Sequence, residues 1–545
     1  MKTNYIISFF FAFFSVFCFS QNFTDSNLPI IILNTSGLPI DSAYTPTFII
    51  GMKVIDNGAN RNHISDPSTY TCQVKIKVHG NSTQWFPKKA WNITTINTLH
   101  ANQDTSLLGL PREHDWIFKA LYEDKTLLRD DISFKIFREM GHYGSRSRFF
   151  ELVVDGNYRG VYQLEEKIKH GKNRVNIAKL KASDIAGDLL SGGYIVHIDR
   201  LKVGDKGWTS KYPSNAGNDS ANTYVYEYPK PDSMSEVQKD YIHNLFDQFE
   251  GVVHRPNWNN PDSGYSKYVN VASLVDKFLI EEISRNTDAY RLKDFFYKER
   301  NSKGDGKIHA GPIWDYAIGW GNCSFSGGDN PYWWQYSQPY YTDFIPFWWR
   351  KILTDPAFQN AIKCRYKQLR ATTLNKNYVN AHIDSMVIYL SEGRQRNFQR
   401  WQILGHNTWP EPQPVPADYN GEIARLKWWI DQRLTWLDTN IPGICNNLTG
   451  INEIADSTII NLFPNPFNNS FRLDYSIKSI GTSAEKKQVI IELFDVLGKR
   501  VFLSFADKTF GLHSDEITTS QLSSGIYNVK VSIDDKTYSR KLVKE

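Results

Sequence analysis

Apolar positions along this chain recur every second residue in its first half and every third or fourth residue in much of its second. In residues 71–80, Val74, Ile76 and Val78 alternate with Lys75, Lys77 and His79, the pattern of a strand with one buried face. Residues 28–35 and 47–56 carry similar runs, broken by Asn, Gly, Asp and Pro. Residues 148–168 read as a hairpin turning at Asp155-Gly156-Asn157, and further strands are expected at 193–199 and 223–228. Two helices interrupt this region. One carries Leu128, Ile132, Ile136 and Met140 and stops at Gly141; the other opens on a capping box from Ser233 to Glu236 and runs to Gly251. From Asn270 the helical period takes over: Val271, Leu274, Val275, Phe278, Leu279 and Ile283 share a face, with Asn270 as N-cap and an end near Arg285-Asn286. Helical runs follow at 357–371, 378–402 and 420–439. Short strands return after a polar stretch and predict a small antiparallel sandwich over residues 459–545. The pattern as a whole is α+β, a β-rich half followed by a helix-rich half and a small all-β unit.

The stretch just after the helix at 271–284 carries the candidate chemistry. Residues 291–299 and 307–315 are two extended arms around the turn Lys303-Gly304-Asp305-Gly306. A hairpin folds back on itself, so Asp288, before the first arm, is expected near Asp315, at the end of the second. Phosphoryl transfer on a divalent cation needs such a pair: one carboxylate orients the attacking hydroxyl and takes its proton, the other holds the metal. The competing reading makes Asp288 a helix-end residue and Asp315 a solvated turn residue.

Composition narrows the classes. The 545 residues are 41% hydrophobic and 14% aromatic, ample for a core, and the net charge of +5 is spread among interleaved acids and bases. No basic stripe for nucleic acid is present. Residues 1–20 have a lysine followed by an apolar run and small residues, the form of a secretory signal peptide cut between Ser20 and Gln21, and no later run is long enough to span a bilayer. Beyond Cys18 there remain Cys72, Cys323, Cys364 and Cys445, which allow two disulfides in three pairings; Cys323 with Cys364 is the expected one. Lys88 and Lys89 stand where a polar loop meets a strand, a position that an edge-protecting pair also takes.

Two resemblances follow from these residues. Gly80-Asn-Ser-Thr with Phe86-Pro-Lys-Lys, the run 123–131, the hairpin 155–168, Gly192 to Asp199, Arg285 to Leu292 and Gly311 to Asn322 occur in an order that resembles the CotH kinases, the spore coat protein H family of atypical secreted protein kinases. Phe463-Pro-Asn-Pro466, residues 494–501, Ser524 to Val531 and Lys541 to Lys544 resemble the type A sorting domain of type IX secretion cargo. The implied organisation is a signal peptide (1–20), an atypical bilobal kinase-like domain (21–445), a linker (446–458) and a sorting domain (459–545). The kinase resemblance implies ATP and Mg²⁺ or Mn²⁺ as cofactors, with Asp288 catalytic, Asp315 metal-binding, Lys88 and Lys89 at the ATP phosphates and Glu165 and Glu166 on the adenine side. Asp124 and Arg129 match the family's helix-start motif. Ala317 stands where many relatives carry Asp or Asn, and Asp294 on the facing arm is the residue expected to supply the second metal ligand.

The implied function is transfer of the ATP γ-phosphate to Ser or Thr of an exported or surface protein, with the type IX machinery as a further partner and no nucleic acid. The alternative is an inactive kinase-like scaffold for adhesion, in which the aromatic run from Tyr332 to Arg350 grips a glycan or protein. A weaker third reading gives the paired acids to hydrolysis.

Overall fold

The computed structural model describes residues 23–42, 46–202, 204–214, 221–338, 344–445, 461–477, 487–495, 499–509, 511–533 and 536–545. The expected signal peptide and linker lie outside the described residues. The chain divides into two compact units, Met1–Cys445 and Asn446–Glu545.

In the first unit the period-two segments close into a barrel. Its strands are β1 (Ile30–Asn34), β2 (Phe48–Ile55), β3 (Tyr70–Val78), β4 (Trp91–Ile96) and β5 (Asp115–Lys119), then, after helix α1 (Arg129–Glu139), β6 (Ser147–Val154) and β7 (Asn157–Glu166). The order is β1-β2-β3-β4-β5-β7-β6, antiparallel except for the parallel pairing of β1 with β6 that closes the ring. Alternation explains the closure: Val74, Ile76, Val78, Trp91, Ile93, Trp116, Phe118 and Phe150 fill one continuous interior.

A second, five-stranded antiparallel sheet follows, built from β8 (Tyr194–Ile198), β9 (Gly207–Pro213), β10 (Ala221–Tyr228), β11 (Asp294–Lys298) and β12 (Ile308–Ala310) in the order β9-β10-β8-β11-β12. The β11–β12 pair is the expected hairpin, with Phe296 opposite Ala310 and Lys298 opposite Ile308. Helices α2 (Glu236–His254), α3 (Val271–Ser284), α4 (Phe347–Ile352), α5 (Pro356–Arg370), α6 (Lys376–Tyr389), α7 (Ser391–Arg400) and α8 (Tyr419–Asn440) complete the unit. One large core joins the outer barrel residues Ile117, Phe149 and Val161 to α1, the second sheet and the helices.

Several local expectations need correction. The capping box at α2 is Ser235 with Gln238, because Ser233 closes a 3₁₀ turn and donates its hydroxyl to the Lys230 carbonyl at 2.7 Å. The run 378–402 is two helices, separated at Leu390. The disulfide joins Cys364 to Cys445, not to Cys323. Cys364 lies on α5 and meets the end of the first unit, whereas Cys323 is buried against the Thr287 hydroxyl at 3.5 Å.

The second unit is the expected sandwich. Asn461–Phe463, Ser470–Ile477 and Gly511–Thr518 form one antiparallel sheet; Arg500–Lys508, Lys487–Phe494, Gly525–Ile533 and Lys536–Lys544 form the other. Phe471, Leu473, Val489, Ile491, Val529 and Val531 fill its core.

Candidate functional site

A cleft of about 780 Å³ opens between the barrel and the second sheet. Barrel residues Lys77, His79, Asn92 and Lys119 and the loop Gly80–Phe86 line one side. The turn after α3, with Asp288 and Lys293, and the segment after β12, with Asp315 and Ala317, line the other.

The fold-back joins the two acids in this one cleft. Helix α3 ends with Arg285 in the left-handed region (φ +47°), which turns the chain sharply towards Asp288. Asp315 itself sits at φ +65°, a conformation that costs a non-glycine residue about 1–3 kcal/mol and persists only where its surroundings impose it. Here the Asn286 side chain donates to the Asp315 carbonyl at 3.2 Å, and the Tyr316 N–H donates to Asp130 Oδ1 at 2.6 Å.

The two carboxyls have opposite protonation tendencies. Burial pushes Asp288 up to about 6, and the Asp315 charge adds to that shift against the pull of Arg291, whose guanidinium donates to Asp288 at 2.6 Å. Burial also disfavours ionisation of Asp315, but Lys119, with its Nζ 2.8 Å from Oδ1, overcomes it and holds the carboxyl near 2. Lys119 sits at the inner end of β5, buried at 5% exposure, 3.4 Å from Asp130. Burial opposes its charge, yet Asp130, Asp315, Glu165 and Glu123 keep the ammonium well above its ordinary pKa. Burial pushes His79 down to about 3, with Lys119 and Lys293 adding to it, so its imidazole is neutral at pH 7.

Lys88 and Lys89 are both committed to protein acceptors. Lys88 lines the cleft, and its Nζ, at 2% residue exposure, donates to the Val161 carbonyl at 2.5 Å and to Asn397 at 2.9 Å, joining the barrel to α7. Lys89 Nζ donates to the carbonyls of Gln84 and Phe86 at 2.6 and 2.7 Å and so fastens the Gly80–Phe86 loop. The lysine that meets Asp315 is Lys119. Glu165 and Glu166 are fully buried at the end of β7, and neither lines the cleft. Glu166 is held by Arg146 and Arg174; Glu165 lies behind Lys119, and burial, reinforced by Asp130, raises its pKa well above the usual range. Asp294 does not join Asp315 either: it pairs with Lys277 at 3.0 Å inside the core. Ala317 does line the cleft and offers no side-chain oxygen.

Lys119, Asp130, His79 and Lys293 were missed because they lie in four separate segments. The one available signal was Lys119, a charge closing the apolar strand Trp116-Ile117-Phe118. The structure also gives a role to the helix-start motif. Asp124 accepts from the N–H groups of Thr126 and Arg129 and from the Arg129 guanidinium, fixing the start of α1 and hence Asp130.

One cleft carboxylate, Asp315, could hold a divalent cation. Mg²⁺ typically takes one or two carboxylates and completes its shell with phosphate oxygens and water. Asp315 is ionised and its side chain is 42% exposed to the cleft, so it is reachable despite its depth. Among the cleft's lining residues Phe325 stacks on Trp409 (ring centres 6.0 Å apart, planes at 15°), and Phe86 lies 6.5 Å from Trp409 with its plane tilted by 39°.

Residues 461–545 match the family described as secretion system C-terminal sorting domain, which implies export by type IX secretion to the cell surface or outside. Among the described residues no helix is long and apolar enough to cross a membrane. A search of curated proteins finds no match. Residues 76–437, well over half of the chain, match the family described as CotH kinase protein, and the match spans every cleft residue named above; the chain belongs to that family.

Proposed function

We propose that this exported protein is an atypical Ser/Thr kinase in which Asp288 is the general base and Asp315 the metal ligand. The observation that carries the reading is the separation of two carboxyls lining one cleft, one drawn up to about 6 and the other held near 2. A base works best with a pKa close to the working pH, whereas a metal ligand must stay ionised. The barrel on one side of the cleft and the helix-backed sheet on the other support a bilobal, kinase-like arrangement.

Bound Mg²⁺ or Mn²⁺ with ATP would supply the phosphoryl group and the neutralising charge. Asp288 takes the proton of the acceptor hydroxyl. Lys119 fixes Asp315 and adds positive charge beside the site of transfer, and Asp130 holds Lys119 and the Tyr316 backbone in register. Phe86, Phe325 and Trp409 give the base a stacking surface and shield the inner cleft from water. With Asp294 sealed in the core and alanine at position 317, Asp315 is the side chain that would hold the metal, and water and phosphate would have to supply the rest.

The test is incubation of the purified mature chain with labelled ATP, Mg²⁺ or Mn²⁺ and a casein-like acceptor. Label transfer that vanishes in Asp288→Ala supports the reading; transfer that persists there removes Asp288 from the role. A scaffold reading has one observation in its favour: Tyr332, Trp333 and Trp428 are 45%, 57% and 54% exposed, although Trp348 and Trp349 from the same aromatic run are fully buried. Glycan binding with no transfer would favour it.

A further inference from the structure

Glu123 lies on the loop between β5 and α1 and lines the same cleft as Asp315. Its backbone is fixed from both sides. The next residue, Asp124, anchors the start of α1. The Asn322 side-chain amide donates to the Glu123 carbonyl at 2.8 Å and to the Ala317 carbonyl at 2.9 Å, so one nitrogen ties Glu123 to the segment that follows Asp315.

The fold makes no use of the Glu123 side chain that accounts for its charge. The residue is 5% exposed, yet its carboxylate has no hydrogen-bond or ion-pair partner among the other described residues. Nor is that carboxylate sealed, as both oxygens of Asp294 and Oε2 of Glu281 are, so the surface it keeps lies on the cleft. A nearly buried carboxylate is ordinarily paired, and an unpaired one on a cavity wall points to a cationic ligand.

The surrounding charge agrees. Asp130, Asp315, Glu165 and Glu123 all act on the single ammonium of Lys119. Counting Lys88, which acts on Glu123 as well, four carboxyls meet two ammonium groups. The other nearby cations are engaged: Lys293 stands 3.6 Å from Asp199, and Arg291 2.6 Å from Asp288. Burial raises the Glu123 pKa, Lys119 opposes the rise, and the Asp315 and Asp130 charges add to it. Asp315 keeps an oxygen to share, because Lys119 takes Oδ1 and leaves Oδ2 without a partner among the described residues.

We propose that Glu123 is a second carboxylate ligand of the divalent cation held by Asp315. The inference deepens the kinase reading and rests on it for Asp315 as metal ligand. Glu123 supplies, from the loop between β5 and α1, an oxygen that the Ala317 side chain does not offer. Two carboxylates leave about four positions of an octahedral shell to water and phosphate oxygens.

The test reads metal binding, without nucleotide, acceptor or turnover, in the full mature chain. Electron paramagnetic resonance follows Mn²⁺ titration for affinity, and electron–nuclear double resonance in oxygen-labelled water counts the waters on the bound metal. The wild-type chain should hold Mn²⁺ with about four waters. Glu123→Gln should bind it about tenfold more weakly and with one water more, its melting temperature confirming the fold. Unchanged affinity in Glu123→Gln overturns the proposal. So does weaker binding with an unchanged water count, which makes Glu123 a distant charge and not a ligand. A wild-type count of about five waters, or no Mn²⁺ binding at millimolar metal, overturns it without any variant having to fold. Asp315→Asn should weaken binding at least as much; if it leaves the affinity unchanged, the metal role of Asp315 falls with this proposal. A failed kinase assay leaves the water count standing, and a cation held by Asp315 without Glu123 leaves the kinase reading standing.

Discussion

Asp294 and Asp315 flank the same hairpin and each meets a buried lysine, yet they end in opposite circumstances. Asp294 opens β11, its side chain is 1% exposed, and its partner Lys277 is also 2.9 Å from Glu281 within the core. Asp315 follows β12, its side chain is 42% exposed, and its partner Lys119 stands at the cleft wall. Burial raises the Asp294 pKa and Lys277 opposes that rise, whereas Lys119 carries Asp315 down to about 2. A sealed carboxylate holds the core together; one open to a cavity and strained at positive φ is available for chemistry. The difference lies in what the side chain faces, not in residue type or distance along the chain.

Substitutions can break that comparison. Asp315→Asn is expected to cut phosphoryl transfer by about 10³-fold and also to lower the urea midpoint, because it leaves the buried Lys119 with Asp130 alone. Asp294→Asn should cost about 3 kcal/mol in urea unfolding because it leaves Lys277 with one partner fewer, while the rate per folded molecule holds. If Asp294→Asn removes transfer without loss of stability, the contrast fails. Lys119→Met should lower kcat/KM for ATP by about 10²-fold, more than Lys88→Met, whose ammonium serves the Val161 carbonyl and Asn397 instead. The smallest effect is on pH dependence. Below about 6 Asp288 keeps its proton and cannot accept another, so kcat/KM should fall about tenfold per pH unit on that acid limb and level off above it. An acid limb near 4 would mean that the base is a carboxyl with no burial shift.

Much of the frame was legible along the chain. Alternation in Val74-Ile76-Val78 and the turn at Asp155-Gly156 reported barrel strands, and the turn at Asp305-Gly306 placed Asp288 and Asp315 in one cleft, because strand period and turn chemistry are local properties. The partners were not legible. Lys119 reaches Asp315 across 196 positions of sequence, and Lys88 reaches Asn397 across 309. The lysine pair before β4 gave no sign that its ammonium groups were already taken by backbone carbonyls.

By itself the sequence determined the alternation of elements, the hairpin that returns Asp315 to Asp288, and the export address in residues 461–545. Tertiary structure alone decided which charge faces water and which faces another charge: Lys119 at Asp315, Lys88 on the Val161 carbonyl and Asn397, Cys445 rather than Cys323 at Cys364, and Asp294 in the core. Local periodicity selects the face of an element, but ion pairs, disulfides and burial depend on what a distant segment brings to that face.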